Sequence, residues 1–285
     1  MKAVEIATQT KRASVETTCQ IFGVKRDAYY KCRARHNKKL IIEKQVIEMV
    51  KHERLEQPRV GTRKLLATLH ITFNLMGLKV GRDELFRILR KYDLLVKRKK
   101  SSFKTTDSYH RFHTYGNLIK DLVVDKPNQV WVSDITYIRT YTGFCYLALI
   151  TDLYSRKIVG YDMSDSLELA GCMRAFKMAL AKARPAAGLI HHSDRGIQYC
   201  SNQYVRLLKN KKIKISMTEE NHCYENAIAE RVNGILKDEF YLDQSFDNLK
   251  HAKRATKNAV NIYNNKRLHL SLNYKTPQNV FEEVA

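Results

Sequence analysis

The sequence predicts a mixed α/β fold of the α+β kind: an open mixed sheet covered by helices, preceded by an all-helical region of helix-turn-helix character. Three observations lead there. Through the front of the chain apolar residues recur at helical spacing, as in VGTRKLLATL, whereas from Gln129 they alternate among β-branched and aromatic residues, as in QVWVSDITYIRT. Behind three such strand-like segments, helices and strands then take turns, the order that builds a mixed sheet with helices on its faces. With 285 residues and 44% hydrophobic content, the chain is long enough for two domains or more. The expected divisions are 1–50 and 51–100 for two helical segments, 101–125 for a basic linker, and 126–285 for the sheet domain with its C-terminal helices.

In the first segment Ser14 can cap a helix whose apolar face is Val15, Cys19 and Phe22. Gly23 supplies a turn, and a second helix from Lys25 to Arg33 would offer Lys25, Arg26 and Tyr29 to a DNA groove. The second segment repeats the pattern. Leu65, Leu66 and Leu69 mark one helix, MGLKVG breaks it, and Leu85, Ile88, Leu89 and Tyr92 mark the next; Arg63 and Arg82 are its candidate DNA contacts. The run Lys97 to Lys100 then leads into a stretch without apolar periodicity, a basic linker suited to a phosphate backbone.

Charge names the class of partner. The formal net charge is +22, and residues 1–120 hold 28 Lys and Arg against 11 Asp and Glu, a balance of +17. The remainder holds 23 against 18, or +5. A front-loaded basic chain attracts a polyanion, because each phosphate neutralised releases condensed counterions. An anionic membrane is the weaker partner, since no amphipathic helix with aromatic anchors accompanies the charge and the one tryptophan is Trp131. No run of about 18 apolar residues exists to span a bilayer. Met1 to Ser14 lacks a signal-peptide core, so a cytoplasmic protein is expected. The six cysteines form no CxxC pair or zinc-spaced cluster, which points to reduced thiols.

From Gln129 the segments QVWVSDITYIRT, FCYLALITDL and RKIVGYDM read as strands, followed by a helix over 167–183, the short strand GLIHHSD, a helix near 203–210 and the strand KIKISMT. Two final helices are expected over 227–242 and 248–264. Three acids stand out in this frame. Asp134 sits inside the first strand between Val132, Ile135 and Tyr137, where an unpaired charge is costly. Asp194 follows an apolar strand at its C-terminal end, where sheet-based sites form. Glu230 lies on a late helix whose core side is Ile228, Val232, Ile235 and Phe240, with Lys237 two turns below it on the same face. Taken singly, the last two read equally as a turn cap and a solvent-exposed pair. Together the three carboxylates suit two magnesium ions, for which manganese can substitute: magnesium prefers oxygen ligands, and a pair of ions roughly 3.5–4 Å apart serves in-line displacement at a phosphodiester. No nucleotide-binding glycine loop is present.

Other acids are weighed and set aside. Asp152 ends the second strand but has Arg156 to pair with; Glu225 precedes the late helix; Glu239 is about 180° from Glu230 around it. His192, beside Asp194, reads as a strand-end histidine with its hydrogen bonds satisfied.

On FGVKRDAYYK, VGTRKLLATL, PNQVWVSDITYI, YLALITDLYSRKIVGY, HHSDRGIQYCS, SMTEENHCYENAIAERVNGILKDEF and YNNKRLHLSLNYKTP, in order along nearly the whole chain, the sequence resembles the second-frame transposases of the insertion-sequence-three family. Their catalytic domain is similar to retroviral integrases, so the resemblance implies a ribonuclease H-like core. Between Asp194 and Glu230 lie 35 residues, the interval that names the DDE group, with Lys237 seven beyond. What the resemblance implies is metal ligation by Asp134, Asp194 and Glu230 and DNA contact by Lys237. It also implies cleavage that leaves a 3′-hydroxyl, then direct attack of that hydroxyl on another phosphodiester, on double-stranded element ends and target DNA in a bacterial cytoplasm. Joining paired ends implies a homodimer or higher oligomer. Members commonly act as a frameshift fusion; no heptad zipper precedes Ser14, so a first-frame partner or fusion is expected to assist end recognition. The competing readings are a non-catalytic DNA-binding regulator, which would have no use for three acids beside phosphate, and a nuclease of RNA–DNA hybrids.

Overall fold

The computed structural model describes residues 2–10, 14–97, 112–185, 187–219 and 226–283. The chain divides into two compact units, one of residues 1–55 with 68–95, the other of residues 56–67 with 96–285. Among the described residues no helix is long and apolar enough to cross a membrane. Cys19, Cys32, Cys145, Cys172 and Cys200 are free thiols.

The first unit is helical. It contains α1 (Lys2–Gln9), α2 (Val15–Ile21), α3 (Arg26–Glu56) and α5 (Arg82–Lys91), and α4 (Thr62–Leu75) runs into it from the second unit. Ser14 caps α2 as expected, its hydroxyl accepting from the Thr17 N–H at 3.1 Å. The expected second helix is longer than its sequence signal: α3 runs unbroken for 31 residues, through the boundary expected at 50. Two expectations are corrected. Phe22 closes α2 outside its last turn and is exposed, not part of the apolar face. Tyr29, expected to face a DNA groove, is only 4% exposed and packs with Val4 and Cys19. The reason is α1, whose Val4 supplies an apolar partner and turns that side of α3 inward.

Farther along α3, Glu43 is buried and made the hub of an ion cluster. Its carboxylate accepts from Arg87 at 2.5 Å, Lys91 at 2.6 Å and the Tyr92 hydroxyl at 3.0 Å. Burial pushes its pKa up, but the Lys91, Arg87 and Tyr92 donors outweigh that and bring it to about 2 from an ordinary 4.5. A carboxylate whose folded pKa is depressed stabilises the fold above the unfolded value, and that stability is lost as pH falls through the folded one. Helical circular dichroism of Glu43→Gln should therefore lose its dependence on acid between about pH 4.5 and 2 in the part that wild type shows; an unaltered acid profile would contradict the hub.

The second unit is built on a five-stranded sheet in the order β3-β2-β1-β4-β5. Its strands are β1 (Val130–Thr140), β2 (Gly143–Asp152), β3 (Ile158–Ser164), β4 (Ile190–Ser193) and β5 (Lys214–Met217). The first three pair antiparallel, whereas β4 is parallel to both β1 and β5. Strand alternation sorts the apolar residues to two faces. On one, Trp131, Ala148 and Ile150 pack with Phe176 of α6 (Leu169–Ala183), Tyr199 of α7 (Ile197–Cys200) and Tyr204 of α8 (Asn202–Asn210). On the other, Ile138, Leu147 and Leu149 meet Val232 and Leu236 of α9 (Ala227–Glu239) and Tyr263 of α10 (Leu249–Asn265). A short α11 (Pro277–Glu282) closes the unit. Gly160 of β3 is fixed by packing, since a Cβ there would stand 2.2 Å from the Ala175 carbonyl oxygen of α6. This is the open mixed sheet covered by helices that the sequence predicts.

Part of the expected linker belongs to the sheet unit. Residues 98–111, including Arg98, Lys99 and Lys100, lie outside the described residues. Beyond them Tyr115, Ile119 and Val124 pack against the cores, and the Leu118 N–H donates to Ser216 at 2.9 Å.

Candidate active site

Asp134 stands in β1 and Asp194 directly follows β4. Parallel pairing places Ser133 opposite Ser193, so the next residue along each strand brings the two aspartates side by side at one end of β4. Alternation turns Asp134 toward α9, and the side chain is held there by two donors. Asn233 Nδ2 reaches its Oδ2 at 2.7 Å, and the Ile135 N–H reaches its Oδ1 at 2.8 Å. Asp194 Oδ1 accepts from the Gly196 N–H at 3.1 Å.

α9 brings the third acid. Asn226, before its first turn, donates to the Ser133 carbonyl at 3.1 Å, and Ala229 packs with Val130 and Val132, so the start of the helix is pinned to β1. Glu230 is in that first turn, where the positive end of the helix dipole favours a carboxylate. The electrostatics of Asp134 register its neighbours. Burial first, then the charge of Asp194, and more weakly that of Glu230, push its pKa up to about 7, against the pull of Asn233 and Ile135. The charges of both other acids therefore reach Asp134. Lys237, half-buried two turns along α9, has its pKa lowered by burial while Asp134 opposes the shift. Glu230, Asn233 and Lys237 thus form one stripe at i, i+3 and i+7. Asn233 is the site residue that sequence reasoning missed.

The other acids are accounted for. Asp152 is fully buried and accepts from Ser155 N at 2.8 Å, Ser155 Oγ at 2.6 Å and Asn128 N at 2.7 Å, so it orders a turn; these donors hold it in place of the ion pair expected from Arg156. Glu239 is taken by Arg267 and Lys64, at 2.7 and 2.9 Å. Glu225 lies outside the described residues. His192 is buried with its Nδ1 2.8 Å from Ser216 Oγ. His191 next to it meets Ser133 and Tyr204 at 2.8 and 3.0 Å, and burial lowers its pKa to about 3, so it stays neutral behind the strand.

Of the residues expected to touch DNA, Lys25 and Arg26 are exposed at the start of α3, Arg26 with Glu16 3.7 Å away. Arg63 is exposed in the first turn of α4. Arg82 opens α5 and is engaged by its neighbour Asp83 at 2.9 Å. Tyr29, as described above, is not available.

As for a metal, the donor set is all-oxygen and crowded with negative charge, the chemistry that suits a hard divalent cation. Among the described residues no three acidic, histidine or cysteine side chains converge tightly enough to close a cage as they stand. Glu230 is exposed in the first turn of α9.

Comparison with known proteins bears on the same segments. Residues 124–223 and 211–277 each match a family model described as an integrase core domain. An uncharacterised 31 kDa protein of insertion element IS600 from Shigella sonnei is 38% identical over 91% of this chain and 95% of its own length. The transposase of insertion sequence element IS904 from Lactococcus lactis is 32% identical over 81% of this chain and 90% of its own. Transposase InsF of insertion sequence IS3A from Escherichia coli is 36% identical over 52% of each chain.

Proposed function

We propose, since this chain belongs to the insertion-sequence-three family of transposases as its second-frame product, that Asp134, Asp194 and Glu230 are the residues at which it cleaves and joins DNA. As a polynucleotidyl transferase of this family, the chain acts on DNA strands. The observation that carries the residue assignment is Asp134, a strand carboxyl under the charge of both other acids and raised to about 7. Burial is the larger cause and the charges of Asp194 and Glu230 add to it; a divalent cation held by the carboxylates would offset both. The three carboxylates would hold two magnesium ions, with manganese able to take their place. When bound, these supply Lewis acidity at the phosphate and lower the pKa of the attacking water or 3′-hydroxyl.

The protein's own groups do the rest. Asn233 fixes one oxygen of Asp134, so that the carboxylate is presented in one orientation. Lys237, its ammonium partly desolvated and attracted by Asp134, would meet a DNA phosphate in this reading. The exposed cations Lys25, Arg26 and Arg63, with Arg82, are proposed to position duplex through its backbone. Joining two element ends calls for at least two copies of the chain in the DNA complex, with a first-frame protein or fusion aiding end recognition.

The test supplies Mg²⁺ and a labelled duplex carrying the element's end, cut from the DNA flanking the gene. The expected products are a strand nicked to leave a 3′-hydroxyl and a joined strand, the latter absent when an already nicked end is supplied with a 3′-deoxy terminus. Binding without cleavage under every divalent metal would leave a regulator. Degradation of an RNA–DNA hybrid with no joining would leave a nuclease.

A further inference from the structure

The outer face of α10 is a second feature suited to a polyanion, apart from the carboxylate site. In its 17 residues, LKHAKRATKNAVNIYNN, there are four Lys and Arg and no acid. Lys250, Arg254, Lys257 and Asn261 follow at i, i+4, i+7 and i+11, which at 100° per residue is one stripe, and all four are exposed. Among the described residues none of these three cations stands at ion-pair distance from a carboxylate. The acid just before the helix, Asp247, is engaged by His251 at 3.0 Å. Beside the stripe runs a shallow groove of about 490 Å³, with Arg254, Lys257, Asn258 and Asn261 on its walls.

Exposed cations on a helix usually mean a solvated surface. Here the arrangement is more particular. The opposite side of α10 (Ala252, Ala259, Tyr263) shares a core with Val232 and Leu236 of α9, so both helices cover the sheet face toward which Asp134 points. Lys, Arg and Asn are the side chains that reach phosphate oxygens without reading sequence. The stripe holds no aromatic ring on which an unpaired base could stack, and no large apolar side chain to enter a lipid surface. A second copy of the same face would meet it with like charge. From Lys250 to Asn261 the helix rises about 17 Å, which faces roughly five base steps of duplex.

We infer that the outer face of α10 grips duplex DNA beside the reacting strand, through phosphate contacts from Lys250, Arg254 and Lys257. The inference rests on DNA being the substrate and not on which residues hold metal. Binding of the full chain to a fluorescent duplex is followed by anisotropy across a salt series in chelator, so that the readout does not depend on catalysis. The triple variant Lys250→Gln, Arg254→Gln, Lys257→Gln should flatten the slope of log affinity against log salt by about 2 to 3, at roughly 0.9 for each phosphate that is no longer neutralised. A control with the same charge change, Arg206→Gln, Lys211→Gln, Lys214→Gln, alters exposed residues around α8 and β5 and should move the slope far less. Unaltered Trp131 emission checks that the sheet unit stays folded in both. An unchanged slope in the α10 variant, an equal change in the control, or a loss confined to single-stranded DNA would each overturn the inference.

Discussion

Asp134→Asn and Glu230→Gln are each expected to lower strand cleavage and strand joining together by about a thousandfold or more, with duplex binding in chelator kept. The magnitude follows from the role proposed for these groups. A bound metal supplies several kcal/mol of charge stabilisation at the reacting phosphate, and each 1.36 kcal/mol lost is a factor of ten in rate. Removing the charge of one ligand should forfeit much of that. Stability should move the other way for Asp134. In the metal-free protein its carboxyl is pushed up to about 7 by burial and by Asp194, so the ionised form opposes folding as pH rises from the ordinary 3.8 toward 7. An amide keeps the Asn233 and Ile135 side of the strand filled without that charge, and Asp134→Asn in chelator should melt no lower than wild type near neutral pH. Asn233→Ala tests the orienting contact separately. A partner that only orients a ligand costs about 10- to 100-fold in metal affinity, so this variant should regain joining as Mg²⁺ is raised, whereas Asp134→Asn should not. Full activity of either carboxylate variant would remove that residue from the site.

How far the sequence alone reached depended on the range of the physics involved. A charged residue inside an apolar alternating strand is a local anomaly, and so Asp134 was legible, as was the succession of strands and helices along the chain around it. Asp194 was visible as a strand end, but its neighbourhood with Asp134 comes from the parallel pairing of β1 with β4, which joins residues about sixty apart. Asn233 escaped because an amide on a helix that already carries Glu230 and Lys237 reads as solvent-facing. The stripe 230, 233, 237 was the available signal, and only the placement of α9 over β1 gives it a target. Tyr29 failed for a related reason. Its aromatic ring follows two cations in a way that suits a groove, but α1, a short helix with a weak signal of its own, covers it through Val4. The fate of Glu239 was illegible for the same cause, since its partners stand 175 residues before it and 28 after.

Glu239 carries the largest expected effect on stability. Its carboxylate, at the end of α9, receives Arg267 through Nε at 2.9 Å and Nη2 at 2.7 Å and Lys64 at 2.9 Å, and the two cations are 4% and 9% exposed in their side chains. Breaking a buried pair by removing one partner costs about 3–5 kcal/mol, because the charge left behind has no compensation. Here Glu239→Gln would leave two cations facing each other. The triad is not symmetric, however. Burial and the nearby Arg267 lower the Lys64 pKa to about 8 even with Glu239 beside it, so its ammonium is held against its preference, while the two-pronged Arg267 contact satisfies Glu239 without it. Lys64→Met should accordingly cost much less than Glu239→Gln and can come out neutral. Urea unfolding followed by the single tryptophan, Trp131, which is fully buried in the sheet unit, reads both variants on that unit alone. Equal losses from the two substitutions would mean that Lys64 contributes as much as Arg267, and a loss below about 1 kcal/mol for Glu239→Gln would reduce the triad to a surface ion pair.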